Sequence, residues 1–339
     1  MPADLWQKNQ RKMSNLNQVN KALIVGIDHY DWAPLRGCVA DAKAMEQVLS
    51  RHEDGSRNFH CKTVVSGDRN RRVTEAQLRK EIREFFQGVG DIALFYFSGH
   101  GSEDNLGGYL VAQDSEKYSL GLPFSELLQV AQQCVEFREI FIILDCCYSG
   151  AIPSPNDAGS LGGGMLLPRK GISILTASRP EQYSMERGGR GVFTRILEKG
   201  LEGNAADLLG HVTVAGLYHY ADRMLGPFKQ RPMFKAHVSG FKILRQCSPK
   251  VFEEELRRLP DLFASEDAEL PLDPSYAPDL APQHVAHERT YGQLRRLVQA
   301  GLVEPLGVDD LADAAKERKA CRLTSQGRAY WSIVKEDGF

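Results

Sequence analysis

A cysteine and a histidine stand at the ends of two apolar segments that are typical of buried strands. The run from Ile142 to Leu144 leads into Cys147, and the run from Ile92 to Phe97 leads into His100. In an open α/β sheet, sites form in the crevice outside the carboxyl ends of the strands, so neighbouring strands would bring Cys147 and His100 together. A thiol beside an imidazole can act as an activated nucleophile.

The motifs around these two residues resemble the caspase-like cysteine peptidases of the metacaspase or prokaryotic caspase type. Ser98-Gly99-His100-Gly101 is similar to the S-G-H-G motif of that family, and the segment from Asp145 to Gly150 is similar to its D-x-C-[HY]-S-G motif. The separation, 147 − 100 = 47 residues, fits a histidine roughly 50 residues before the cysteine. The resemblance implies that Cys147 is the nucleophile and His100 its partner. It places the oxyanion hole on the backbone N–H groups of Gly101 and Cys147.

The elements that must position these residues alternate between strand and helix. Predicted strands over Lys21 to Ile27 and Cys61 to Val65 precede the histidine strand, and a helix near Ser125 to Val135 precedes the cysteine strand. Predicted helices run from Asp41 to Leu49 and from a capping box at Thr74 to about Phe86. This order predicts an α/β fold, a caspase-like doubly wound, mostly parallel six-stranded sheet flanked by helices.

Composition shifts divide the rest of the chain. A proline- and glycine-rich stretch follows Gly150, the last strand is predicted over Met233 to Leu244, and a small α+β winged-helix-like C-terminal domain follows. The predicted regions are an N-terminal extension (1–20), a large-subunit region (21–152), a flexible linker (153–170), a small-subunit region (171–247), an acidic and proline-rich connector (248–283) and the winged-helix-like domain (284–339).

The C-terminal domain is identified by two segments. Thr290 to Val303 resembles the recognition-helix region of a winged helix, and Arg322 to Arg328 resembles the strand and helix that follow its wing. From His284 onward there are nine Lys/Arg and eight Asp/Glu, a surplus of 9 − 8 = +1. Phosphate neutralisation dominates DNA affinity, so this charge argues against nucleic acid as a partner. A protein-interaction or autoinhibitory module is at least as well favoured.

Acidic residues stand at positions that resemble those of the substrate pocket in caspases. Caspases hold an acidic side chain before the cut bond with two arginines and a glutamine; here Asp145 stands at the glutamine position and Glu186 at one arginine position. Carboxylates in a partly desolvated pocket attract a guanidinium or ammonium group. The sequence therefore predicts cleavage of protein substrates after basic residues, Arg preferred, with Lys as the alternative. The predicted pocket residues are Cys38, Asp41, Ser98, Asp145, Tyr183, Met185 and Glu186.

Three residues near the predicted pocket leave its character open. Asp41 could simply begin a helix, where a negative charge is favoured, and Glu186 could be a solvated loop residue. Arg36 lies one residue from where a caspase carries an acid-binding arginine, and it would weaken the basic specificity if it pointed into the pocket.

Basic residues in the glycine-rich segments are candidate processing sites, for this enzyme or for an upstream activating protease; they are Arg169, Lys170, Arg187 and Arg190. The C-terminal domain could also bind a regulator. Many metacaspases require Ca²⁺, but the acidic residues from Glu103 to Glu116 are sparse and lack a regular ligand spacing. The sequence therefore predicts no metal and no cofactor, with a dependence on Ca²⁺ left open as an unsupported alternative.

Composition bounds the remaining possibilities. With 339 residues, 42% hydrophobic residues and a net charge of −2, the chain can bury a large core and has no global attraction to nucleic acid or anionic membranes. Residues 1–20 lack an apolar signal region and no run reaches the length of a membrane span, so we expect a cytoplasmic protein. The seven cysteines include no CxxC pair, which favours reduced thiols.

Two alternatives from other classes compete with the peptidase interpretation. One is a catalytically silent caspase-like scaffold, against which the intact His100, Gly101 and Cys147 argue. The other is a DNA-binding regulator dominated by its winged helix, against which the near-neutral charge argues. The resemblance implies a role in regulated proteolysis, such as prokaryotic defence or cell death.

Overall fold

The structure is a computed structural model with two compact units. It describes residues 19–66, 72–105, 107–116, 120–146, 170–177, 186–187 (backbone), 189–226, 232–238, 240, 242–277 and 284–336. The first unit comprises Met1–Ala206 and His211–Cys247, and the second comprises Asp207–Gly210 and Ser248–Phe339. Within the described ranges, no helix combines the length and the apolar character needed to cross a membrane.

The strands of the first unit include those predicted to carry Cys147 and His100. In chain order they are β1 (Asn20–Gly26), β2 (Phe59–Val65), β3 (Gly90–Ser98), β4 (Gly101–Asp104), β5 (Gly107–Leu110), β6 (Leu122–Pro123), β7 (Phe137–Asp145), β8 (Ile172–Thr176), β9 (Glu186–Arg187), β10 (Arg190–Gly191), β11 (His211–Thr213), β12 (Met233–His237) and β13 (Ile243–Gln246). The helices are α1 (Cys38–Leu49), α2 (Glu75–Phe86), α3 (Phe124–Gln133), α4 (Val192–Lys199) and α5 (Val214–Leu225).

Six strands form the central sheet in the order β12-β8-β7-β3-β1-β2. Neighbours from β8 to β2 pair in parallel, and β12 pairs antiparallel with β8. The predicted mostly parallel sheet of six strands is thereby confirmed. A smaller antiparallel sheet, β4-β5-β6, begins directly after the histidine strand.

Alternating side chains of the central strands pack into two separate hydrophobic cores, one on each face of the sheet. Phe95 and Phe97 of β3 pack in the cluster that includes residues of α2 and α3, whereas Leu94 and Tyr96 pack in the cluster that includes residues of α1, α4 and α5. Helices therefore cover both faces of the sheet, which explains why the central strands are almost uninterrupted apolar runs.

The predicted last strand is the clearest departure in this unit. Residues 233–244 were expected to form one strand, but β12 ends at His237. The following strand, β13, pairs with β11 in a separate two-stranded sheet. The segment therefore supplies an edge strand to the central sheet and a second strand elsewhere.

The second unit is built on a three-stranded antiparallel sheet. Its strands are β14 (Glu269–Pro271), β15 (Val303–Pro305) and β16 (Ala320–Leu323), in the order β14-β16-β15, and its helices are α6 (Glu253–Arg257), α7 (Leu259–Leu262), α8 (Val285–Gln299), α9 (Leu311–Lys316) and α10 (Ser325–Lys335). Val251, Leu256, Leu259 and Phe263 are buried in its core, so this part of the expected connector is folded. The winged-helix resemblance stays a prediction.

Candidate active site

The ends of the central strands β1, β3 and β7 lie side by side in the sheet. Ser98, at the end of β3, is in register with Asp145, at the end of β7, and with Gly26, at the end of β1. His100 follows β3 by two residues, and Cys146 follows β7 directly. Cys147 itself lies outside the described residues.

His100 is held by hydrogen bonds at its backbone and its ring. Its backbone N–H donates to Tyr30 Oη at 3.0 Å, and its Nε2 lies 2.7 Å from the carbonyl oxygen of Ala33. A carbonyl only accepts hydrogen bonds, so we assign the proton of the neutral ring to Nε2. Nδ1 then carries the lone pair and can accept a proton from a thiol.

Two aromatic rings fix the plane of the imidazole. Tyr30 lies 4.6 Å from the His100 ring centroid, and Trp32 stacks on it at 4.9 Å with an interplanar angle of 23°. Tyr30 Oη also donates to the Val111 carbonyl at 3.0 Å, and burial raises the pKa of Tyr30 well above its usual value. A Cβ added at Gly99 would lie 2.6 Å from Tyr30 Oη, so the glycine permits this approach.

Asp28 organises the loop that carries Tyr30 and Ala33. Its carboxylate accepts hydrogen bonds from Cys38 N at 2.7 Å and Val39 N at 3.2 Å, and so satisfies the first turn of α1. Sequence reasoning missed Asp28, Tyr30 and Ala33. The signal that could have identified Asp28 is its position, since it is a polar residue directly after the apolar run that ends at Ile27.

Asp41 lies in the first turn of α1, and its side chain faces the interior of the site. It is the fourth residue of α1, only 1% of its side chain is exposed, and its Oδ1 accepts from Arg190 Nε at 2.8 Å. Its Oδ2 accepts from Gly191 N at 2.8 Å. The same guanidinium donates through Nη1 to Glu198 Oε2 at 2.9 Å. Arg190 therefore joins a carboxylate of α1 to one of α4.

Asp145 lies beside this ion pair. Its Oδ2 accepts a 2.6 Å hydrogen bond from Thr194 Oγ1, which is itself 2.5 Å from Tyr96 Oη. A Cβ added at Gly191 would lie 2.7 Å from Asp145 Oδ2 and 2.8 Å from Asp41 Oδ2. The two buried carboxylates therefore converge on a position that only glycine fits.

Burial disfavours the charge on Asp41. Desolvation raises the pKa of Asp41 to about 7, the hydrogen bond from Arg190 opposes that shift, and the charge of Asp145 adds to it. Asp41 therefore changes its charge near neutral pH, and the negative charge of the site changes with it.

The remaining predicted residues of the site differ in burial and position. Cys38 is buried in α1, three residues before Asp41. Ser98 is buried and is in register with Asp145. Gly101 is the first residue of β4. Arg36, the expected complication, is exposed. Outside the described residues lie Tyr183, Met185 and Arg169, and of Glu186 and Arg187 the structure describes only the backbone, which pairs with β10.

The candidate processing residues differ in their accessibility. Lys170 is exposed in a turn just before β8. Arg190, by contrast, lies in β10, is bound to Asp41 and Glu198, and exposes only 24% of its side chain. These contacts do not favour cleavage after Arg190.

Two of the acidic residues considered for calcium bind donors of the chain itself. Asp114 Oδ1 accepts from Glu75 N at 2.7 Å, at the start of α2, and Asp104 accepts from the Tyr109 hydroxyl at 3.1 Å. Among the described residues there is no group of three or more His, Cys, Asp or Glu side chains that could hold a metal ion.

Known proteins share this architecture. The sequence matches the family model of the caspase domain, peptidase C14, over residues 19–241. Protein GSU0716 from Geobacter sulfurreducens superposes with a TM-score of 0.51 at 18% identity, covering 68% of this chain and 98% of that one. Caspase-1 from Spodoptera frugiperda superposes with a TM-score of 0.50 at 16% identity, covering 68% and 92% respectively. No curated protein matches the chain. At these identities, the structural likeness shows the fold alone.

Proposed function

Because the chain belongs to the caspase domain family of cysteine peptidases, we propose that it is an endopeptidase with Cys147 as nucleophile and His100 as general base and acid. The alignment of the β3 and β7 ends supports the pairing, since Ser98 and Asp145 are in register two residues before His100 and Cys147 respectively. The hydrogen bond from His100 Nε2 to Ala33 supports the role of Nδ1 as the proton acceptor.

In the proposed reaction, His100 Nδ1 takes the thiol proton of Cys147, and the thiolate attacks the peptide carbonyl carbon. Backbone N–H groups of Gly101 and Cys147 donate to the resulting oxyanion. The imidazolium then protonates the leaving amine as the C–N bond breaks, which leaves a thioester. Water, deprotonated by His100, hydrolyses the thioester and restores the thiol.

We propose that the residue before the cut bond is basic, with Arg preferred over Lys. The convergence of Asp41 and Asp145 on Gly191 is the observation that carries this specificity. Among the described side chains, the local cluster contains three carboxyl groups, those of Asp41, Asp145 and Glu198, and one guanidinium, that of Arg190. Its excess of acidic groups attracts a second cation and repels an aspartate.

A fluorogenic peptide panel with Arg, Lys or Asp before the cut bond, with and without Ca²⁺, tests the function. We expect cleavage after Arg, and a loss of about 1,000-fold or more in kcat for Cys147→Ala. Cys146→Ala, which removes the neighbouring buried thiol, is the matched control and should stay active. Activity that survives Cys147→Ala would refute the assignment of the nucleophile. If the wild type cleaves none of the peptides, the result would favour a scaffold or an uncleaved zymogen.

Two variants separate the pocket from the catalytic pair. Asp145→Asn should lower kcat/KM for Arg peptides by about 100-fold, because Asn keeps an acceptor for Thr194 but removes the negative charge that attracts the substrate guanidinium. Glu84→Gln is the control, since its carboxylate is 50% exposed and pairs with Lys80 on the surface of α2. Preferred cleavage after Asp in the wild type would overturn the basic pocket.

Activation by processing or by a partner is a further part of the proposal, in the setting of regulated proteolysis such as prokaryotic defence or cell death. Arg169 and Lys170 are the favoured cut sites, since Lys170 is exposed whereas Arg190 is bound within the site. A chain with Arg169 and Lys170 replaced by Gln should stay uncut and weakly active by gel and peptide assay. Full activity of the uncut chain would refute activation by cleavage there.

A further inference from the structure

Trp32 is exposed at the candidate active site. Its side chain is 62% exposed, although large aromatic side chains usually bury most of their surface. One part of the indole stacks on His100, with 4.9 Å between ring centroids. The remaining apolar surface of the ring is open beside the imidazole. An exposed aromatic surface next to a reacting group is a candidate binding surface for the substrate.

The loop that presents Trp32 is held in place on both sides of the ring. Asp31 Oδ2 accepts from Arg72 Nη2 at 2.6 Å, and the Ala33 carbonyl accepts from His100. The neighbouring Leu35 N donates to the Asp28 carbonyl at 2.8 Å. A ring presented by a braced loop loses little conformational freedom when a ligand packs on it, so its contacts contribute to binding with a small entropic cost.

The reaction determines which part of a peptide comes close to this ring. His100 must protonate the amine that leaves, so the residue just after the cut bond lies next to the imidazole. Trp32 covers one face of the same imidazole. The side chain after the cut bond therefore comes within reach of the indole, whereas the side chain before it points toward Asp41 and Asp145.

We propose that Trp32 is a specificity-determining residue that selects an apolar side chain immediately after the cut bond, an inference that rests on the proposed peptidase function. Leu or Phe at that position buries apolar surface against the indole, whereas Gly buries almost none and Asp loses hydration without a partner. The enzyme thereby selects substrates by two side chains, a basic one before the cut bond and an apolar one after it.

Internally quenched peptides with Arg before the cut bond, and Leu, Phe, Gly or Asp after it, test the inference. In the wild type we expect kcat/KM for Leu and Phe to exceed that for Gly by about 10-fold. Trp32→Ala should remove this ratio and Trp32→Phe should keep most of it. Val135→Ala, at a site that is 77% exposed in the same unit, is the matched control and should change nothing.

The ratio of kcat/KM between the Leu and Gly peptides shows whether Trp32 selects the substrate or only holds the His100 ring in place. If Trp32→Ala lowers kcat/KM equally for all peptides, Trp32 acts only through the imidazole and the inference fails. Binding of the same peptides to Cys147→Ala, measured by fluorescence anisotropy, gives a readout without turnover. Tighter binding of the Leu peptide that disappears in Cys147→Ala/Trp32→Ala supports the inference even if the wild type cuts none of the peptides, an outcome that bears only on the proposed function. Equal binding of all peptides overturns the inference.

Discussion

At the scale of single residues, the site depends on a buried carboxyl group that is close to losing its charge. Asp41 has two donors inside the chain, Arg190 and the Gly191 N–H, and yet burial raises its pKa to about 7. The sequence predicted an acidic pocket containing Asp41 and Asp145. It did not predict that Arg190, expected as a cut site, is the partner of Asp41, because the contact joins residues 149 positions apart.

The raised pKa of Asp41 predicts a dependence of stability on pH. Between pH 4 and 7 the folded state holds a proton on Asp41 that the unfolded chain releases, so this group stabilises the fold most at low pH and the contribution is lost as the pH rises through 7. The free energy of unfolding of the wild type, relative to Asp41→Asn, should fall by up to about 1.4 kcal/mol per pH unit in this range. Urea denaturation at a series of pH values measures it; a difference independent of pH would contradict the raised pKa.

Arg190→Met should show the complementary behaviour. Removal of the guanidinium leaves Asp41 buried without its cation, which costs about 3 kcal/mol when Asp41 is ionised and less when it is protonated. The loss of stability relative to wild type should therefore be larger at pH 8 than at pH 5. Arg83→Met, which breaks the surface pair with Glu126, is the control and should cost less than about 1 kcal/mol at both pH values.

At the scale of elements, strand and helix patterns predicted most of the first unit, and the errors lie where long-range contacts decide. The helix expected from Asp41 begins at Cys38, because the acceptor for its first N–H groups is Asp28, which lies ten residues upstream across a loop. Local helix-start signals describe caps that adjoin the helix, as Thr74 does for α2. They cannot detect a carboxylate that reaches it from the end of a neighbouring strand.

Asp28→Ala should affect both stability and catalysis. The variant loses charge-assisted hydrogen bonds to Cys38 N and Val39 N, so we expect a loss of about 2 kcal/mol in the free energy of unfolding. The loop that carries Ala33 loosens with it, and kcat should fall more than KM rises because the His100 ring loses its fixed acceptor. Asp28→Asn retains one acceptor oxygen and should recover part of both; a variant with wild-type kcat would show that Asp28 does not support His100.

At the scale of the whole molecule, residues 248–277 are folded although the composition of the segment is typical of a connector. Residues 248–283 are acidic and proline-rich, yet Leu256, Leu259 and Phe263 are buried in the core of the second unit. These three residues share a core with Leu294 and Leu297 of α8, which lie more than 30 positions away. Composition averages over the segment and cannot show such packing.

The basic residues of the second unit give a physical reason to expect no binding of nucleic acid there. Arg296 pairs with Glu255, Arg322 with Glu304 and Arg328 with Asp267. Guanidinium groups engaged by carboxylates contribute little to phosphate neutralisation, on which affinity for DNA depends. We expect no shift of a duplex DNA band at physiological salt; a shift lost in Arg295→Ala but not in Arg72→Ala would contradict this and favour a DNA-binding role.

The boundary between the units includes a short segment that local sequence patterns do not reveal. Residues 207–210 belong to the second unit although the chain on either side belongs to the first. Leu208 is buried in the core of the second unit, and its carbonyl accepts from Lys250 N and Val251 N at 2.9 and 3.2 Å.

An aspartate at position 208 would place an unpaired charge in that core, at a cost on the order of 3 kcal/mol or more. Leu208→Asp should therefore increase amide hydrogen exchange in α8, while β3 and β7 keep their protection. Val135→Asp, at an exposed position, should leave both regions unchanged, and equal loss of protection in the two units would show that they unfold as one cooperative body.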